Sequence, residues 1–236
     1  MERRFDAQIQ DLQQKLVLMG RLAESMLQTS MRGLIERNEN LCAEVHRKEL
    51  EVNDLQIEID DRAVTLTATH QPVGTDVRFL FMASRIATEL ERIGDQAVNV
   101  CQNTRHIINS VPLKPLVDLP VMGEIAEGMV RDAIEALVTK DCTLANRVLE
   151  EEKRVDTYRD QIFRVLLTFM MADPSTIPRA LALILISRNL ERVGDHATNI
   201  AEEVIYMVEG REVRHQYESR NRQARTQASE NSEKSS

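Results

Sequence analysis

The chain of 236 residues has no tryptophan, few other aromatics, and only eight glycines and six prolines. With so few breakers and with Leu, Ala, Glu, Arg and Met abundant, helix is favoured almost everywhere. Its three cysteines, Cys42, Cys101 and Cys142, are an odd number without metal or redox spacing. They exclude a disulfide framework and read as small helix residues in a reducing compartment. The longest apolar run, Ala180 to Ile186, is far too short to span a bilayer. The first residues, Met-Glu-Arg-Arg-Phe-Asp, lead into a polar amphipathic stretch without the apolar core of a signal peptide. A net charge of −8 leaves no excess of cations for a general nucleic-acid face. Nor is there a nucleophile–base pair, a phosphate-cradling glycine loop or a nucleotide motif. A cytoplasmic, non-enzymatic helical protein is expected, neither inserted in a membrane nor bound to nucleic acid.

The breaks that exist divide the chain evenly. Gly33 to Asn40 reads as a polar turn, Gln71-Pro72-Val73-Gly74 and Asp173-Pro174-Ser175 as tight connections, and Thr139-Lys140-Asp141 as a turn with an N-cap. Val111 to Pro120 holds three prolines. These signals predict helices over residues 4–36, 40–70, 75–109, 118–138, 141–171 and 177–209. The fold class is therefore all-α: six long helices in two tandem antiparallel three-helix bundles, with an internal pseudo-two-fold repeat. The expected units are 1–112 and 113–210, followed by a polar, disordered tail over 211–236.

What is present is a repeat. Leu-Glu-Arg-Ile-Gly-Asp-Gln-Ala-Val-Asn at 90–99 returns as Leu-Glu-Arg-Val-Gly-Asp-His-Ala-Thr-Asn at 190–199, identical at seven of ten positions. One structural unit has been built twice. Each copy places Glu, Asp and Asn at i, i+4 and i+8: Glu91, Asp95, Asn99 and Glu191, Asp195, Asn199. Such residues lie one above another on a helix. With Leu90 on the apolar seam, Glu91, Asp95 and Asn99 fall at roughly 100°, 140° and 180° from it. The acidic stripe thus faces the side of the bundle, unlike the inward ligands of ferritin-like di-metal proteins.

The preceding helix of each half supplies a matching pair. Glu152 and Asp156 precede Pro174 by 22 and 18 residues, while Glu191 and Asp195 follow it by 17 and 21. Glu49 and Asn53 precede Pro72 by 23 and 19, while Glu91 and Asp95 follow it by 19 and 23. Antiparallel helices rise equally per residue, so each hairpin brings four oxygen donors to common heights. Oxygen-only donors suit hard cations: Mg, Mn, Ca or ferric iron. Asp156 supplies a charge that Asn53 lacks, so the second centre is expected to bind more tightly.

Against this stands a structural reading. Acidic i, i+4 pairs are common on solvated faces, and Arg92 and Arg192 could brace the helices through a carboxylate–arginine network. His196 should point about a hundred degrees away from Asp195, as a surface residue. Repeated Gly94 and Gly194 suggest close helix approach, the methionines core filling, and Asp76-Val-Arg78 the first turn of its helix. A carboxylate-bridged oxidase would need Glu-x-x-His pairs on two helices; the chain has one, Glu212 to His215.

The doubled Glu-Arg-(Ile/Val)-Gly-Asp, the upstream Gln-Pro-Val-Gly-Thr-Asp-Val-Arg at 71–78 and the Asp-Pro-Ser-Thr-Ile-Pro-Arg at 173–179 resemble the PhoU family of bacterial phosphate-signalling regulators. The resemblance covers residues 5–210. It implies tandem three-helix bundles whose acidic motifs hold metal clusters on the bundle surface, iron among them, with zinc a further candidate. It also implies a cytoplasmic protein, often a homodimer, that works with the phosphate ABC transporter and its ATPase and with the phosphate-sensing histidine kinase as a negative regulator. Carried over by position, the matching residues are Glu91, Asp95, Glu191, Asp195, Glu152, Asp156 and Glu49. At Asn53 the chain has an amide where the family has a carboxylate. A metal-free helical scaffold is the principal alternative reading, a metal-storage protein a further one.

Overall fold

A computed structural model describes residues 2–211, with side chains from Phe5 onward. Among them the helices are α1 (Glu2–Glu36), α2 (Glu39–His70), α3 (Thr75–Ile107), α4 (Asp118–Thr139), α5 (Cys142–Ala172) and α6 (Ile177–Glu209). A single 3₁₀ turn, Pro174–Thr176, leads into α6, and the described residues contain no strand. The expected tail lies outside the described residues, apart from Arg211, as does the Glu212–His215 pair.

Local chemistry sets the ends. Asn38 caps α2 by accepting from the Asn40 amide at 3.0 Å, and Asp141 caps α5 through the amides of Thr143 and Leu144 at 2.7 and 3.1 Å. Such caps contribute about 1 kcal/mol each. The residues just before them, Arg37 and Lys140, both adopt the left-handed conformation, with φ of 52° and 56°, so the α1–α2 and α4–α5 turns are copies of one another. The step from Asn38 to Asp141 is 103 positions and recurs along both hairpins; from α3 to α6 it is 100. The helix expected over 4–36 holds, whereas the polar turn expected from Gly33 to Asn40 begins only after Glu36. Gly33 lies inside α1, close to the Cys42 thiol, because α1 continues to Glu36.

Each half is an antiparallel three-helix unit, α1–α3 or α4–α6, with every helix touching the other two. The halves do not keep separate cores. The α3 and α6 helices pack extensively on each other, α1 also packs on α4, and one continuous apolar cluster draws on all six helices. Leu90 and Leu190 lie fully inside it, each worth about 1.5–3 kcal/mol of transfer from water. The repeated motifs therefore start from the seam where the halves meet. None of the described helices is long and apolar enough to cross a membrane.

Candidate metal centre

In the first half Glu91 and Asp95 on α3 face Glu49 on α2. Burial and then the Asp95 charge push the Glu91 carboxyl above its ordinary value, with Glu49 adding to the shift. Asp95 is raised by burial and then by Glu49. Such shifts mark carboxylates that burial strips of water, with repulsion between neighbours adding to the effect. Asn53 lies one turn along α2 from Glu49, half-buried. His46 sets Nδ1 at 3.4 Å from Glu49.

The second half differs. Asp195, although partly exposed, is pushed up to about 6 by the atoms crowding it and then by the Glu191 charge, with Asp156 contributing. Between these acids stands a cation that sequence reasoning did not single out. Arg159 on α5 donates to Glu191 and lies 3.3 Å from Asp156 and 2.8 Å from Asp160. Glu152 is half-buried one turn before Asp156. Arg159 was accessible to the height arithmetic, since it precedes Pro174 by 15 residues while Glu191 follows by 17.

The carboxylate–arginine network thus exists, but through Arg159. Arg92 instead reaches Glu89 on its own helix, at 3.7 Å.

Two expected positions turn elsewhere. The Asn199 amide donates to Glu89 on α3 at 2.9 Å, so it serves the contact between halves and not the acidic set of its own hairpin. His196 is not a surface residue. It is half-buried, with Nδ1 2.8 Å from the same Glu89. Burial would raise the Glu89 carboxyl, but hydrogen bonds from His196 and Asn199 more than offset this and leave it lowered. Both corrections share one cause: the flank of α6 next to its seam faces α3. Asn99, the first-half counterpart, is half-buried, and its backbone carbonyl accepts from the Asn103 side-chain amide at 2.8 Å. Nothing in the first half announced Glu89, because its partners lie more than a hundred residues away.

The glycines fit the expected close packing unequally. A β-carbon at Gly94 would stand 3.3 Å from the Met26 methyl, whereas at Gly194 the nearest atom is an ordinary 3.6 Å away.

The oxygen donors of the first half suit a hard cation, since their mutual repulsion is what a bound cation relieves. As the side chains stand, no group of three or more acidic, histidine or cysteine side chains among the described residues is close enough to hold a metal ion. Convergence would require rotation of these carboxylates and, in the second half, displacement of Arg159.

These features define a class: a six-helix protein of two fused, internally repeated halves, each carrying a carboxylate stripe on its outer flank. The PhoU domain model matches residues 16–104 and 119–204, one copy per half. The chain belongs to the PhoU family. It is 36% identical over 209 residues to a phosphate-specific transport system accessory protein PhoU homolog from Zymomonas mobilis, covering 89% of this chain and 88% of that one. It is 31% identical to the phosphate-specific transport system accessory protein PhoU of Escherichia coli K12, with the same coverage. The crystal structure of PhoU from Pseudomonas aeruginosa superposes with a TM-score of 0.85 at 34% identity, covering 88% of this chain and all of that one.

Proposed function

We propose that this chain is a cytoplasmic, metal-binding negative regulator of phosphate uptake and phosphate-starvation signalling. It acts as a dimeric adaptor between the ATPase of a phosphate ABC transporter and a phosphate-sensing histidine kinase. Relatives named as accessory proteins of phosphate-specific transport support the setting. The observation that carries the site is the facing of Glu49 by Glu91 and Asp95, with a related acidic set in the second half where Asp156, the counterpart of Asn53, joins Glu191 and Asp195. Glu49, Asn53, Glu91 and Asp95 would hold a cation in the first half, and Glu152, Asp156, Glu191 and Asp195 in the second. There the ion would supply positive charge that ties the two helices of each hairpin together. The chain's own residues keep the halves in register, through Glu89, His196 and Asn199.

Deleting the gene should leave phosphate-starvation genes on in phosphate-rich medium, with repression restored by the intact chain. Normal repression in the deletion strain would refute the regulatory reading. A metal-free scaffold is the second reading, favoured by Arg159 bonding to the second-half acids. It requires that chelation leave thermal stability and partner binding unchanged.

A further inference from the structure

Where the two halves are joined, the C-terminal turns of α1 and α3, the first turns of α6 and the linker over residues 108–117 line a half-open cavity of about 300 Å³. Its walls are mainly apolar, formed by side chains such as Leu34, Ile107, Leu113 and Leu183. The charged side chains on them are Arg37, Lys114 and Arg179, all positive. Lys114 is neutralised by Asp118 at 3.0 Å. The other two form no ion pair among the described residues. Arg37 donates to the carbonyls of Ile107, Ile108 and Ser110, and Arg179 to that of Val111 at 2.9 Å. Asp173 feels the charge of Arg179 but forms no ion pair with it among the described residues. Carbonyl oxygens orient a guanidinium without cancelling its charge. An apolar chamber of this size, at the small end of the roughly 300–1,000 Å³ typical of ligand sites, thus has two oriented cations and no anion on its wall among the described residues.

The structure assigns this cavity to a small amphipathic anion: a compact apolar body with one carboxylate or phosphate head. The body displaces water from the leucine- and isoleucine-lined wall, and the head pairs with Arg179 and Arg37, each guanidinium keeping donors beyond those given to the linker. Because the same guanidiniums hold the linker carbonyls, an occupant would fix the joint between the halves. This site lies apart from the acidic stripes and does not depend on their metal reading.

The test is titration calorimetry of the full chain with octanoate, octyl phosphate, neutral octanol and inorganic phosphate. Saturable binding of at least one of the two amphipathic anions is expected in the range of about 10 μM to 1 mM, with octanol and inorganic phosphate each at least about tenfold weaker. Arg179→Gln, which removes a contact to one linker carbonyl, should weaken the anion about tenfold and leave octanol unchanged. Arg179→Lys should recover part of the loss. A thermal melt confirms that each variant is folded. Absence of saturable binding of both anions, equal binding of octanol, or an unchanged affinity in folded Arg179→Gln would each overturn the assignment.

Discussion

Arg159 on α5 donates to Glu191 on α6, tying together the two helices that carry the second acidic set. At the equivalent position of the first half, 103 residues earlier, stands the neutral Gln56. The half with the extra carboxylate, Asp156 in place of Asn53, is therefore also the half with the extra guanidinium. Arg159 thus opposes the charge that Asp156 adds, although Asp160, where the first half has Ile57, shares the guanidinium, and this weakens the electrostatic reason to expect the second centre to bind more tightly.

The two halves of the native chain should accordingly lose a hard cation such as Mn²⁺ at similar chelator strength. Arg159→Gln should tighten the second centre by about tenfold, about 1.4 kcal/mol, because ligand charge sets hard-cation affinity. Gln56→Arg should weaken the first. Titration calorimetry on chelator-stripped protein measures both. Affinities indifferent to Arg159 would show that it does not compete with the ion.

Glu127 on α4 makes stability fall as pH rises. Burial, then the charges of Glu24 on α1 and Glu124, push its carboxyl up to about 7, with Arg131 opposing. Arg131 is itself engaged by Glu24 at 3.5 Å. Unfolded, Glu127 titrates near its ordinary 4.5. Between that value and about 7 the folded chain holds the extra proton, so stability declines across this window and levels off above it. Glu127→Gln should remove the decline and stabilise the protein at pH 8 by about 1–3 kcal/mol, the upper end reduced by partial solvent access. Urea unfolding at pH 5 and pH 8 is the measurement; equal mutant effects at both would contradict it.

Gly20 and Gly194 should respond oppositely to alanine. A β-carbon at Gly20 would stand 2.7 Å from Ile134 Cγ1 on α4, so the α1–α4 contact must shift. Overpacking of this kind costs about 1–3 kcal/mol. At Gly194 the space is ordinary, and the helix-propensity gain of up to about 1 kcal/mol prevails. Thermal denaturation should show a lowered midpoint for Gly20→Ala and an unchanged or raised one for Gly194→Ala.

Glu89 and His196 should be energetically coupled across the join. Removing Glu89 leaves the half-buried His196 ring and Asn199 amide without their shared acceptor, costing about 1–3 kcal/mol. A double-mutant cycle of Glu89→Ala and His196→Ala should give a coupling of about 0.5–3 kcal/mol. Strict additivity would mean that the contact contributes nothing.

The helices and the pairing within each hairpin are legible in the sequence. Asn38, Asp141, Pro72 and Pro174 mark where helices begin and turn, and rise per residue then sets which residues share a height. That is why Glu49 comes level with Asp95, and why the Asp156 charge reaches Asp195. Gly33 carries both signals, since a lone glycine near a helix end looks like a stop while the helix period continues to Glu36; against Cys42 it packs inside α1. Arg159 obeys the same arithmetic but stands outside the acidic pattern.

The sequence by itself determined the all-helical class, the duplication and the acidic flank of each hairpin, because these depend on local backbone preference and short-range periodicity. Only the tertiary structure decided that the halves share one core, that His196 and Asn199 turn to Glu89 rather than to their own hairpin, and that Arg37 and Arg179 line a half-open apolar pocket. These outcomes depend on how two helix faces a hundred residues apart are rotated against each other. No periodicity within a single helix encodes that rotation, since it is selected by the burial of all six seams together.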